Sequence, residues 1–122
     1  MIPKKNRISR VLFTETMKNG VSFSCGLIRA KALVLQGQNA KNECLFSFVA
    51  PKSVAKLAVD RNKLRRQGYS VIQNSQYLQG NFTKKPFSLA FFYSKGSKNM
   101  KYEEIESSVN EILKNVLNRI NA

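Results

Sequence analysis

Apolar runs in the chain predict β-strands in three places. The run at 45–50 is rich in Phe and Val, and Pro51 ends it because proline cannot donate a hydrogen bond to a sheet. In the run at 86–93 the large apolar residues alternate, so they share one face of a strand: Phe87, Leu89, Phe91 and Tyr93. The segment 21–35 predicts one or two strands bent at Gly26, with basic residues opposite apolar ones: Arg29 and Lys31 against Ile28, Ala30 and Ala32.

Apolar residues recur at helical spacing near both ends of the chain. Ser9 suits the N-cap of a short first helix and Gly20 suits its C-terminal end, with an inward stripe of Leu12, Phe13, Thr16 and Met17. The most amphipathic stretch, 105–120, predicts a final helix. Acidic residues in its first turns complement the helix dipole: Glu103, Glu104 and Glu106. The remaining segments predict an extended basic arm at 2–7 and connections at 36–43, 74–86 and the basic 95–101.

The strand at 45–50 leads into a predicted helix with a strongly cationic flank. Ser53 is its expected N-cap, and an apolar stripe begins at Val54. Locally, 68–73 also suits a strand because glycine is a poor helix former, but the stripe continues through it and favours a helix to about Gln73. The basic residues of this segment are Lys56, Arg61, Lys63, Arg65 and Arg66.

Two of these arginines occupy unusual positions on a helical wheel. Arg61 and Arg65 fall in or beside the apolar stripe, whereas Lys56, Lys63 and Arg66 lie opposite it. One explanation is that their aliphatic stems lie along the core while their charged ends reach water. The other is that this flank is only partly covered and meets a negatively charged ligand.

Composition predicts one folded domain over residues 1–122 that binds a polyanion. Hydrophobic residues make up 43% of the chain, including 8 Phe and 4 Tyr, while 21 Lys and Arg against 7 Asp and Glu give a net charge of +14. Nucleic acid is the expected partner, since such a charge opposes compaction. Residues 1–100 hold 18 basic and 3 acidic residues, against 3 and 4 in 101–122. The binding surface should therefore lie away from the last helix.

The residue types for catalysis are sparse, which favours a binding protein. The chain has no His, the commonest general acid or base. Its carboxylates show no pairing typical of a nuclease, and no Gly-rich phosphate loop is present. Cys25 and Cys44 have no metal-site spacing and are expected to be reduced thiols. Without a secretory or membrane-spanning pattern, a cytoplasmic protein is expected.

The segment 52–66 changes the weighting of these explanations. Its pattern, K-S-V-x-K-x-A-V-x-R-N-x-x-R-R, resembles the signature of the protein component of bacterial ribonuclease P. Two further features are similar to that family: the spacing of Phe13, Met17 and Gly20, and Tyr102-Glu103-Glu104 at the start of the last helix. The chain departs from the family at Leu12, where an acidic residue is usual, and at Tyr69, where an Arg is common. Tyr69 can stack or form one hydrogen bond but cannot neutralise phosphate.

The resemblance implies an α+β fold, a two-layer α/β sandwich. One mixed four-stranded sheet would carry helices packed mainly on one face, in the order αβββαβα. The resemblance also implies a left-handed βαβ crossover around the basic helix, an exception to the usual right-handed connection.

The resemblance further implies a role as the protein subunit of an RNA-based endoribonuclease that removes the 5′ leader of precursor tRNA. The catalytic ribonuclease P RNA would do the chemistry with Mg²⁺ that the RNA mainly binds, so no catalytic or metal-binding residue and no other protein partner are expected in this chain. The implied RNA contacts are Lys52, Lys56, Arg61, Asn62, Lys63, Arg65 and Arg66. The implied contacts to the tRNA leader are Phe13, Arg29 and Lys31, although Phe13 is equally well explained as a core residue.

A second function class remains open at this point. A ribosomal or ribosome-assembly protein that binds RNA without an associated reaction has the same basic α/β composition. Restoration of low-Mg²⁺ cleavage to a ribonuclease P RNA distinguishes the two.

Overall fold

The computed structural model of the protein describes residues 6–35, 44–75 and 86–120. Its elements follow the predicted order αβββαβα. They are α1 (Arg10–Asn19), β1 (Val21–Cys25), β2 (Ile28–Val34), β3 (Leu45–Val49), α2 (Ala58–Gln73), β4 (Phe87–Tyr93) and α3 (Tyr102–Ile120), with a short 3₁₀ turn at Ser97–Asn99. The predicted loop at 36–43 and most of the connection at 74–86 lie outside the described residues.

The four strands form one mixed sheet in the order β1-β2-β4-β3. Gly26 has a φ of 59°, a left-handed conformation that suits glycine, and it turns β1 into the antiparallel β2. β2 pairs antiparallel with β4, whereas β3 pairs parallel with β4. The parallel pair is connected through α2, and the left-handed sense of that connection stays a prediction.

The end of the predicted N-terminal arm lies against the outer edge of β3. Arg7 forms a parallel bridge with Phe46, and the Ile8 amide donates to the Phe46 carbonyl at 3.3 Å. The buried Asn6 side chain donates to the Cys44 carbonyl at 3.0 Å. These contacts bring Arg7 close to the basic helix.

Helices α2 and α3 cover one face of the sheet, and α1 lies on the other, which confirms the prediction of helices mainly on one face. The α2–α3 side holds a core that includes fully buried Phe46, Leu89 and Phe91. On the opposite side, the Thr16 hydroxyl of α1 is hydrogen-bonded to that of Ser88 in β4 at 2.6 Å, with both residues buried. The shorter α1 therefore leaves part of its face of the sheet open.

The start of the basic helix differs from the prediction. α2 begins at Ala58, after an extended Leu57, so Ser53 is not its N-cap and Lys56 precedes the helix. The chain turns at 51–54 instead, with the Val54 amide donating to the Pro51 carbonyl at 3.0 Å. Val54 and its neighbour Ala55 are both buried in this turn, so Val54 imitates the first position of a helical stripe. The predicted end at Gln73 is confirmed.

Gly68 lets α2 pack closely on β3. A Cβ at this position would overlap the ring of Phe48, and that ring is stacked on Phe91 with centroids 4.6 Å apart. The next residue, Tyr69, is buried with its ring 5.0 Å from that of Phe48, and its hydroxyl accepts from the Phe48 amide at 3.3 Å. Tyr69 is thus mainly a core residue, where the sequence suggested a weakened RNA contact.

Candidate nucleic-acid interface

The outer side of α2 carries a cationic cavity of about 550 Å³, called here the α2 cavity. Its lining residues come from α2 and from the arm beside β3: Arg7, Val59, Asn62, Arg65, Arg66 and Tyr69. Asn62 and Arg66 are exposed and Arg65 is half-buried. The Arg65 guanidinium donates to the Asn62 side-chain oxygen. Three arginines and one amide therefore meet at one concave surface.

Arg61 points to a different partner. Its guanidinium donates to the backbone carbonyls of Ala55 at 3.0 Å and Lys56 at 2.8 Å. Carbonyl oxygens at this turn have no helix to accept their bonds, so a charged donor is an effective partner for them. Arg61 therefore stabilises the turn before α2, and its RNA contact stays a prediction.

The predicted lysines surround the start of α2. Lys52 and Lys56 are exposed on the turn, and Lys63 is exposed on the helix. The basic segment at 95–101 lies here too, since the Lys98 ammonium is 3.8 Å from the Asp60 carboxylate. Only the tertiary structure brings this segment to α2.

The second concave surface, the α1 groove, lies between α1 and the open part of the sheet and encloses about 630 Å³. Its lining includes the two predicted basic residues together with three serines and two apolar side chains. They are Met17, Ser22, Ser24, Arg29, Lys31, Phe92 and Ser94.

The predicted leader contacts play different parts in the α1 groove. Arg29 is exposed, whereas the Lys31 ammonium donates to the Met17 carbonyl near the end of α1 at 2.9 Å. Phe13 is half-buried, with its ring 6.1 Å from the ring of Phe92 and tilted by 49°. Phe13 thus packs on a residue that lines the groove and keeps part of its surface accessible.

A model of the family described as Ribonuclease P matches residues 2–117 of the chain. The chain belongs to this family. It is a protein component of ribonuclease P, the tRNA-processing enzyme, and nothing favours the ribosomal alternative.

Solved ribonuclease P proteins share the fold of the chain. The protein from Staphylococcus aureus superposes with a TM-score of 0.72 at 18% identity, covering 96% of this chain and 98% of that one. The protein from Thermotoga maritima gives 0.68 at 18% identity, covering 95% and 98%. No curated protein matches by sequence search. The implied α+β fold is thereby confirmed.

Several residues at the two surfaces of this ribonuclease P protein were not singled out from the sequence. Ser22 and Ser24 of β1 pair with Lys31 and Arg29 of β2. Pairing the two strands around Gly26 was enough to place these hydroxyls beside the basic residues. Arg7 had no such signal, because its position depends on the parallel bridge to β3.

Burial keeps two potentially reactive groups neutral. Desolvation raises the pKa of the Cys44 thiol to about 11, and it also raises the pKa of Tyr93, whose hydroxyl donates to the Leu64 carbonyl at 2.7 Å. A buried thiol with a raised pKa is a poor nucleophile. Among the described residues, no three His, Cys, Asp or Glu side chains are close enough to hold a metal ion. Within the same ranges, no helix is long and apolar enough to span a membrane.

Proposed function

We propose that this chain binds the catalytic RNA of ribonuclease P through the α2 cavity and the turn before it. The same protein holds the 5′ leader of precursor tRNA in the α1 groove, and so promotes endonucleolytic removal of the leader. The observation that carries this proposal is the convergence of Arg7, Arg65 and Arg66 with Asn62 in one cavity. Arginine forms paired hydrogen bonds with phosphate, and an amide can hydrogen-bond a base or a sugar hydroxyl.

The α1 groove suits a single-stranded leader rather than a duplex. Single strands bind where aromatic side chains meet a positively charged groove, because an unpaired base can stack on an aromatic ring. Phe13 and Phe92 supply rings here, Arg29 supplies charge, and the serines supply hydroxyl groups. Lys31 supports this surface by tying α1 to the sheet.

The RNA supplies the catalysis in this proposal, and it holds most of the Mg²⁺. The chain has no His, and four of its seven carboxylates lie on α3. The protein instead contributes a net charge of +14, which offsets repulsion between the two RNAs. It acts in the cytoplasm and needs no further protein partner.

Arg66→Met tests the RNA-binding face of α2. Arg66 is exposed, so stability should stay the same or rise slightly as repulsion falls, while affinity for ribonuclease P RNA decreases. The slope of log K against log salt should become shallower by roughly 0.7–0.9 for each phosphate that is no longer neutralised. Arg119→Met, at an exposed position of α3, is the control with the same change in charge. Thermal unfolding and a salt titration of RNA binding supply both measurements.

The other two arginines of α2 sharpen this test. Arg61→Met should lower stability, because two carbonyls of the turn lose their charged donor. Arg65→Met should behave like Arg66→Met. Salt slopes equal to that of Arg119→Met in both of the latter variants would remove this face of α2 from the interface.

Phe13→Ala tests the α1 groove. If the ring stacks on a leader base, worth about 1–3 kcal/mol per base, binding of precursor tRNA should weaken more than binding of mature tRNA. Phe13→Leu is the control, because it restores apolar packing against Phe92 without an aromatic face. Equal losses for the two tRNAs, or full recovery of leader binding in Phe13→Leu, would show that Phe13 only packs.

A further inference from the structure

The α2 cavity combines an exposed aliphatic surface with positive charge. Val59 is 63% exposed and lines the cavity beside Tyr69, while Arg7, Arg65 and Arg66 supply cationic groups. Phosphate binding alone needs no aliphatic wall. The volume of about 550 Å³ lies within the roughly 300–1,000 Å³ of small-ligand pockets. A nucleotide has matching parts, since its base has apolar faces and its phosphate is anionic.

The hydrogen bond from Arg65 fixes the orientation of the Asn62 amide. A guanidinium only donates, so it holds the amide oxygen of Asn62 toward itself. The amide NH₂ group is then what Asn62 offers to a ligand. Asn62 is exposed and lines the cavity, so it presents donors and not acceptors to a molecule bound there.

We propose that the α2 cavity takes one unpaired nucleotide of the ribonuclease P RNA and selects a base with two neighbouring acceptors, as in guanine. Guanine carries O6 and N7 side by side, and both accept from an NH₂ group. Adenine places an amino donor beside N7, and that donor opposes the donors of Asn62. The base lies against Val59 while its phosphate meets the arginines. The inference rests on the proposed function and adds a base preference to it.

Mononucleotides test the preference on the free protein. GMP and AMP have the same phosphate and ribose, so a difference between them reports the base alone. In NMR titrations, the Asn62 side-chain amide and the Val59 methyl signals should shift with both, and GMP should bind about fivefold or more tightly, the lower limit for one good base contact. Equal affinities for GMP and AMP, or shifts confined to the arginines, would overturn the base preference.

Asn62→Asp gives a reversal that a general charge effect cannot produce. The carboxylate still accepts from Arg65 but replaces the donors with an acceptor, so the preference should change from GMP toward AMP. Asn110→Asp, at an exposed position of α3, adds the same charge and should keep the GMP preference. A GMP preference that persists in Asn62→Asp would contradict the proposal.

The aliphatic wall is tested with the RNA itself. Val59→Thr keeps the shape of the side chain but adds a hydroxyl, so affinity for ribonuclease P RNA should fall by severalfold with an unchanged salt slope. Val11→Thr, at an 80% exposed position of α1, is the matched control and should bind normally. Unchanged affinity in Val59→Thr would overturn the nucleotide site. The salt slope of Arg66→Met separately decides whether α2 binds RNA at all, so the two proposals can fail independently.

Discussion

Precursor tRNA is expected to stay intact with the purified chain alone, whereas a ribonuclease P RNA at low Mg²⁺ should gain strong cleavage activity when the chain is added. The proposed division of labour leaves the chemical step to the RNA. At high Mg²⁺, metal ions screen the phosphates of both RNAs. At low Mg²⁺, the lysines and arginines of a chain with a net charge of +14 take over part of that role. Single-turnover cleavage rates measured across a Mg²⁺ series, with and without protein, check this expectation.

Two controls separate specific assistance from simple charge neutralisation. A polylysine peptide of the same net charge should not restore correct cleavage, and the double variant Arg65→Met/Arg66→Met should require more Mg²⁺ than the wild type. Cleavage by verified RNA-free protein, lost on changing a carboxylate such as Glu15 or Asp60, would contradict the proposal. Tight RNA binding without any stimulation of cleavage would argue against the assisting role.

Gly68→Ala is expected to destabilise the protein, although helix propensity predicts the opposite sign. Alanine at a solvated helix position is more stable than glycine by about 1 kcal/mol. At Gly68 the added methyl group overlaps the ring of Phe48, which cannot retreat because Phe91 is stacked behind it. Overpacking of this kind costs about 1–3 kcal/mol and occasionally more. The expected net result is a lower midpoint of thermal unfolding, by roughly 4 °C for each kcal/mol of stability removed.

A double-mutant cycle assigns that destabilisation to the overlap with Phe48. Phe48→Leu alone should destabilise the core, but it makes space, so Gly68→Ala should cost less in its presence than in the wild type. A gain in stability from Gly68→Ala alone would show that α2 can move away from β3. The same displacement would move Arg65 and Arg66, so RNA affinity should be measured beside stability.

The order and type of the elements could be predicted from the sequence, because their signals are local. Ser9 accepts from the Leu12 amide at the start of α1, as its position before an apolar stripe predicts. Alternation in β4 separates Leu89 and Phe91 on the core face from Phe92 on the side of α1. The family was also evident from residues 52–66, since its motif is a local spacing of basic and apolar residues.

The candidate site was predicted less completely, because several of its features depend on contacts between distant parts of the chain. Spacing alone placed Val54 on a helix, but a buried turn uses the same apolar residue. The helical wheel put Arg61 and Arg65 in similar places. The structure instead gives Arg61 two carbonyl partners in the preceding turn and gives Arg65 the amide of Asn62.

The sequence by itself therefore determined which residues are basic, which elements carry them and which family they indicate. Only the tertiary structure decided which side chains share a cavity. Arg7 reaches α2 because residues 6–8 lie beside β3, and Tyr69 leaves the RNA face because Gly68 lets the helix pack against Phe48. The physical reason is that periodicity fixes the direction of a side chain relative to its own element. Its neighbours are set by the packing of that element against others far away in the chain.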